Sequence, residues 1–372
     1  MTAAFPADYD RPVATVSDAL RRAAASLAIL FGLLHPAAAN AATGSFAVGD
    51  QSVVQVWAGA RSAITIKAWD RPNVQFDTDD ESATVVRRPL AFGTPKNPLS
   101  VPIPLVNVTV RDPSGERSPG TLPPEDFPYA SDFRAGVHDS VRIEAHGRAR
   151  VTVMVPASVA ILDARIRGGA GILTIEDYHG GTLFVASNGG RTLLTNVTSA
   201  TFIQMLNGRL EVFDSSFDRL RARGNNVNMV FEHDRARQIE VTTLSGSIIY
   251  DNGTFDPGLA RFESTNGSIA IGVAGGAQVA ARSNAGRVYS MWDKRTPTAQ
   301  RSDGEASATI AGGGPVVNAV TARGNVYLYD GALDTRRTIP AEWQPIREEL
   351  QDQRPRAPDA FKRFRALRGR TP

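Results

Sequence analysis

The chain of 372 residues has no cysteine. Its absence excludes disulfides, thiolate metal sites, cysteine nucleophiles and a lipid-modified cysteine behind a leader. Histidine is scarce, and His35, His138, His146, His179 and His233 show no ligand spacing such as two on one helix face. Serine and threonine abound, yet neither a G-x-S-x-G elbow nor an S-x-x-K nucleophile motif occurs. An excess of one charge is also missing. Lys and Arg number 41 against 38 Asp and Glu, a formal +3, so the balance gives nucleic-acid binding no support. The runs Gly275-Gly276 and Gly312-Gly313-Gly314 read as tight turns, because no helix or Lys-Ser/Thr pair follows to make a phosphate loop.

Long apolar runs are nearly absent as well. The exception is residues 23–34, preceded by Arg21-Arg22 and followed by the small-x-small sequence Ala39-Asn40-Ala41. That succession reads as an export signal over residues 1–41, cleaved before Ala42. The run is too short to span a bilayer comfortably. With no longer run elsewhere, the mature chain is expected to lack a transmembrane segment and to reside in the periplasm, at the cell surface or outside the cell.

What the sequence does have is a glycine repeat. Gly171, Gly190, Gly208, Gly246, Gly267, Gly286 and Gly324 recur at about 19 residues or twice that, a period that signals a stacked repeat architecture. Val227 holds the midpoint of the first double gap, and the gap from Gly286 to Gly324 reads as two periods. Two and four places after each marker stand apolar residues such as Leu210 and Val212, Met229 and Phe231, Ile248 and Tyr250. Seven, five and three places before it lies a second alternating set, for example Val279, Ala281 and Ser283. Alternation of period two makes two short half-buried strands per coil. Asn188, Asn207, Asn226, Asn266 and Asn284 cluster before the markers, so the chain is expected to turn left-handed there. Stacked at about 4.8 Å, such coils bury one continuous core. The predicted fold is all-β: a single parallel β-solenoid over residues 151–331.

Around it, residues 42–150 read as an N-terminal β region interrupted by a Pro-rich loop at 95–133. Its strands are expected at residues 52–57, 63–69, 74–76, 83–86 and 141–145, with an island at 106–110 in the loop, and a strand at 151–155 feeds into the first coil. Residues 332–372 read as a basic, mostly disordered tail with one short helix at 341–351. A second, basic amphipathic helix at 358–367 is open to disorder, to docking or to an anionic membrane surface.

Ser52-Val53-Val54-Gln55-Val56 and Ile64-Thr65-Ile66-Lys67-Ala68-Trp69-Asp70 resemble the opening of a bacterial adhesin-like family, domain of unknown function 4097 (DUF4097). Val153-Met154-Val155-Pro156, Gly246-Ser247-Ile248-Ile249-Tyr250 and Gly267-Ser268-Ile269-Ala270-Ile271 match that family's later motifs. The resemblance covers roughly residues 46–331, apart from the 95–133 loop. It implies an exported or envelope-facing β-solenoid and brings no catalytic residues.

Two outward surfaces and one turn column are candidates for function. Three places after the markers, Leu193, Val230, Ile249, Tyr289 and Tyr327 form an apolar column. Such a column requires a cover: the N-terminal β region, the 95–133 loop, the tail or a second copy. Six and four places before the markers, Arg165, Arg167, Arg221, Arg223, Arg261 and Arg282 should share one outward face. They suit an acidic glycan, an anionic lipid surface or an envelope protein, or else pair with Glu240 and Glu263 on a solvated face. Six places after the markers, Asp177, Asn196, Asp214, His233 and Asn252, with Asp330, could bind Ca²⁺, act as acid and base, or close turns. The expected role is a non-enzymatic envelope scaffold or adhesin-like interaction module without cofactor or metal. The alternative is a carbohydrate-active β-helix enzyme, a polysaccharide lyase or hydrolase.

Overall fold

The computed structural model describes residues 42–49, 52–89, 139–291, 300–302, 304–333 and 341–351. The expected leader, the 95–133 loop and the 358–367 segment lie outside the described residues. Within them the chain is all-β, with twenty-one strands joined in one large, mostly parallel sheet that does not close into a barrel.

The repeat sets the middle of the sheet. Strands β8 (Ile161–Glu176), β9 (Thr182–Thr195), β10 (Thr198–Phe213) and β11 (Ser216–Glu232) each carry both strand segments of one repeat. Later repeats divide them: β12 (Arg235–Ser245) with β13 (Ile248–Phe255), and β14 (Leu259–Ser264) with β15 (Ile269–Val273). Parallel partners lie one repeat apart, so Leu210 faces Met229 and Met229 faces Ile248. Their apolar alternation fills one side completely: Leu183, Val185, Leu210, Val212, Met229, Phe231, Ile248 and Ile269 all sit in the main core.

The marker glycines follow from this stacking. A Cβ on Gly208 would run into the carbonyl of Gly190, and one on Gly267 into that of Gly246. Gly190, Gly208 and Gly246 also hold positive φ, which costs little only for glycine. The expected left-handed asparagines are corrected by the structure. Among the described residues, the non-glycine residues with positive φ are instead Asp177, Asn196, Asp214, His233 and Asn252, besides Arg61 and Ala311. Each of those five donates its N–H to a carbonyl of the neighbouring rung, as Asp177 does to Thr195 and Asp214 to Glu232. The left-handed corner thus sits where the chain leaves the second segment of a rung.

Both ends of the stack depart from simple succession. Near the N-terminus, β2 (Ser52–Ala58) lies between β6 (Asp139–Ala145) and β8, and β3 (Ala63–Trp69) between β7 (Arg150–Pro156) and β8. Antiparallel strands then finish this end. Strand β5 (Thr84–Pro89) pairs with β6, while β4 (Asn73–Thr78) joins β7 to β1 (Ala42–Ala47). At the other end, β20 (Val316–Thr321) lies between β14 and β16 (Ala277–Ser283). Likewise β21 (Val326–Asp330) lies between β15 and β17 (Val288–Met291). Among the described residues, the gap from Gly286 to Gly324 therefore holds no further repeat of the expected kind. It contains β18 (Gln300–Ser302) and β19 (Glu305–Ile310), a hairpin laid antiparallel on β16. With that edge of β16 taken, the next strand pair fills the slot on its other side.

A short helix follows the sheet: a 3₁₀ turn over Ala341–Trp343 and α1 over Gln344–Gln351. Pro345 is tolerated because it stands in the first turn, where its missing N–H would have no partner in the helix. Ile346 and Leu350, four apart on one face, are buried.

Candidate functional site

Three surfaces repeat along the stack. The first is the outward column of the second segments, where the pairings align Leu193, Glu211, Val230, Ile249, Ala270, Tyr327 and Tyr289. Its apolar members from Val230 to Tyr327 pack with Trp343, Ile346 and Leu350, and Tyr289 is partly buried against them. Over that part of the column the expected cover is therefore supplied by the tail, while Leu193 lies outside this cluster. Glu211 sits fully buried in the column, between Arg191 at 2.6 Å and Arg209 at 2.8 Å. Arg209 reaches on to the Glu349 carboxylate at 3.4 Å, tying α1 to the sheet. Asp251 pins the approach to the helix, its Oδ1 accepting from the Tyr329 hydroxyl at 2.7 Å and the Leu333 N–H at 2.9 Å. Burial pushes the Asp251 carboxyl up, against the pull of those two donors.

The second surface is the outward side of the first segments, and it carries all six candidate arginines. Each has an acidic partner. Arg165 Nε lies 2.6 Å from Asp163, and Arg167 lies 3.5 Å from Glu144. Arg221 lies 2.9 Å and Arg223 3.8 Å from Glu240. Arg261 lies 2.5 Å from Glu263, and Arg282 3.3 Å from Glu305. A register shift between Ile166 and Ala170 sets the first repeat two places off phase. Asp163, and not Arg165, consequently shares the column of Phe184, Phe202 and Arg221.

That shift divides the face. Toward the C-terminal end, Arg221, Arg223, Arg261 and Arg282 are half-buried to exposed. Toward the N-terminal end, Val53, Ile161, Phe184 and Phe202 make a buried apolar cluster, with the two phenylalanine rings stacked at 5.2 Å. Beside it the guanidiniums of Arg142 and Arg167 each lie 3.8 Å from the Trp57 ring. Such contacts favour a cation that has lost water. Burial lowers the Arg167 pKa to about 10, opposed by the Glu144 charge. Asp163, fully buried, accepts from Gln55 at 3.2 Å and from the Trp57 indole at 3.3 Å. Sequence reasoning missed Trp57, Arg142 and Asp163. For Trp57 and Arg142 a signal was present in residues 52–57 and 141–145, but nothing in it says that these strands continue the same face.

The third surface is the left-handed corner. Side chains along it bond to one another, with Asn196 donating to Asp177 at 2.9 Å and Lys67 pairing with Asp177 at 2.9 Å. Those bonds hold the Asp177 carboxyl below its ordinary range, although partial burial opposes them. His233 Nδ1 lies 3.6 Å from Asp214. Along the column Asn196 separates Asp177 from Asp214, so like charges do not stack. Among the described residues, no group of three or more His, Asp or Glu is placed to hold a metal ion.

Neither a family model nor a curated protein matches the chain. Among solved structures, one described as a "putative cell adhesion protein" from Clostridium sporogenes ATCC 15579 is similar at 8% identity. The alignment covers 78% of this chain and 100% of that one with a TM-score of 0.26. A likeness that low carries no argument about fold or function. Among the described residues, no helix is long and apolar enough to cross a membrane.

Proposed function

We propose that this chain is an exported β-solenoid with coils of about 19 residues, serving as a non-enzymatic, adhesin-like interaction module of the cell envelope. The observation that carries the reading is the outward pattern. Along the stack, outward charged side chains succeed one another at rung spacing, as Arg221, Glu240 and Arg261 do in successive strands. A surface built by repetition is suited to a long or flat partner, since each rung offers a similar contact. The short motifs shared with the DUF4097 family point the same way, as does the leader-like sequence ahead of Ala42, where β1 begins. The carboxylates that an enzyme reading would use are engaged otherwise. On the left-handed corners the Asp177 carboxylate is held by Asn196 and Lys67, and that of Asp214 lies 3.6 Å from His233.

The test is binding of the full mature chain to an array of acidic glycans, anionic vesicles and envelope extract, with a panel of polysaccharides assayed for cleavage alongside. Saturable, salt-sensitive binding without turnover is expected. Turnover of any polysaccharide would replace this reading with the lyase or hydrolase.

A further inference from the structure

The C-terminal helix sits on the outward apolar column as a ligand sits in a groove. Trp343 meets the Tyr327 ring edge-on at 5.0 Å and the Tyr329 ring at 5.9 Å. Ile346 and Leu350 continue its apolar stripe in the cluster that holds Val230 and Ile249. At the far end Arg209 takes both the Glu349 carboxylate at 3.4 Å and, at 3.1 Å, the Glu349 carbonyl. A helix of 8 residues does not hold itself together in water, so its order comes from this seat. The seat is different. Val230 and Ile249 belong to strands paired on both sides, and Leu333 is bonded to Asp251 ahead of residues 334–340. Among the described residues α1 pairs with no strand, so its departure from Ala341 to Gln351 unpairs none of them.

We propose that this column is a docking groove for an amphipathic helix from a partner, with α1 as its built-in competitor. The occupant in place gives the partner's chemistry: an aromatic residue, aliphatic residues three and seven places later, and a carboxylate at six for Arg209. That is the anchor spacing by which helices are read in apolar grooves. Intramolecular attachment gives α1 a high effective concentration, so a partner must displace it. The proposal deepens the interaction-module reading and rests on it. Its test uses a helical peptide rather than a surface polymer, so the two can fail separately.

The probe is a fluorescein-labelled peptide with the sequence of residues 340–352, titrated against full-length Trp343→Ala/Ile346→Ala and against the wild type. Saturable binding to the variant is expected, at least about tenfold tighter than to the wild type, whose own helix competes. Adding Arg209→Ala to the variant should weaken it. Failure of the peptide to bind a variant with wild-type circular dichroism and melting would overturn the proposal, as would dimerisation of that variant in place of peptide binding. If the variant does not fold, hydrogen exchange on the wild type decides. Amides of α1 should open locally, on the order of 100-fold faster than those of Val230 and Ile249. Exchange of α1 only together with those core amides would rule out an opening groove.

Discussion

Asp234 shows how far a single buried group can run against the pattern around it. It follows the left-handed His233 and is only 1% exposed. Its Oδ1 accepts from the Ser215 N–H at 2.7 Å, while Oδ2 meets no hydrogen-bond partner. Burial pushes its carboxyl well above the ordinary 3.8, and the nearby Asp214 and Glu232 charges push the same way. A carboxyl raised in the folded state favours folding most fully below its unfolded pKa, and that contribution is lost as pH rises through the folded pKa. Asp234→Asn keeps an oxygen for Ser215 and has nothing to ionise. Its stability relative to the wild type should therefore increase from pH 4 upward, checked by urea melts across pH 4 to 8. A constant difference across that range would mean that Asp234 is charged in the fold. Ile248 and Ile269, both fully buried, give the contrast. Aspartate at either site has no Ser215 to meet, so Ile248→Asp or Ile269→Asp should cost on the order of 4 kcal/mol. Wild-type melting temperatures in both would be incompatible with this packing.

Strands here are interchangeable in pattern but not in position. Gly267→Ala should cost about 2 kcal/mol, because its Cβ meets the backbone carbonyl of Gly246, which cannot swing aside. At Gly275 nothing stands within 4 Å, so Gly275→Ala should be neutral or slightly stabilising by thermal melting. The glycine repeat was legible because close rung-to-rung approach demands it in nearly every rung, and the buried alternation was legible for the same reason. The order of the rungs was not. Leu259–Ser264 accepts β20 as readily as the next strand in sequence, since either presents period-two alternation. The two-place shift between Ile166 and Ala170 was equally silent, because a slip of two leaves every side chain on its own face. Interposition has a measurable consequence. Among the described residues, and apart from the β19 hairpin, β16 and β17 pair with the stack through β20 and β21 alone. Leu328→Ala empties a fully buried site in β21 and should cost about 3 kcal/mol. Amides of β16 and β17 should then lose exchange protection before those of β9 to β11. Uniform loss across the stack would mean that the end rungs are held some other way.

A stack of parallel rungs invites another copy at each end, and antiparallel strands lie there, β5 and β1 at one end and the β18–β19 hairpin over β16 at the other. An edge already paired in the opposite direction is a poor template for more parallel rungs. On the arginine side the formal charge of the whole chain, +3, is a poor guide. What a polyanion meets is a ladder in which one carboxylate, Glu240, faces both Arg221 and Arg223. Exposed pairs of this kind contribute little to stability, typically below about 1 kcal/mol, yet they neutralise the field that an anionic partner would feel. Removing either member should thus act oppositely on binding. Arg221→Ala/Arg223→Ala should weaken retention of an acidic glycan or an anionic vesicle, and Glu240→Gln should strengthen it. Both effects should shrink as salt rises, because the Debye length falls to about 8 Å at physiological ionic strength. Melting temperatures should barely move, which separates a binding effect from unfolding. If Glu240→Gln leaves binding unchanged at low salt while the chain still binds, the contact lies elsewhere, and these six arginines are a solvated face and no more.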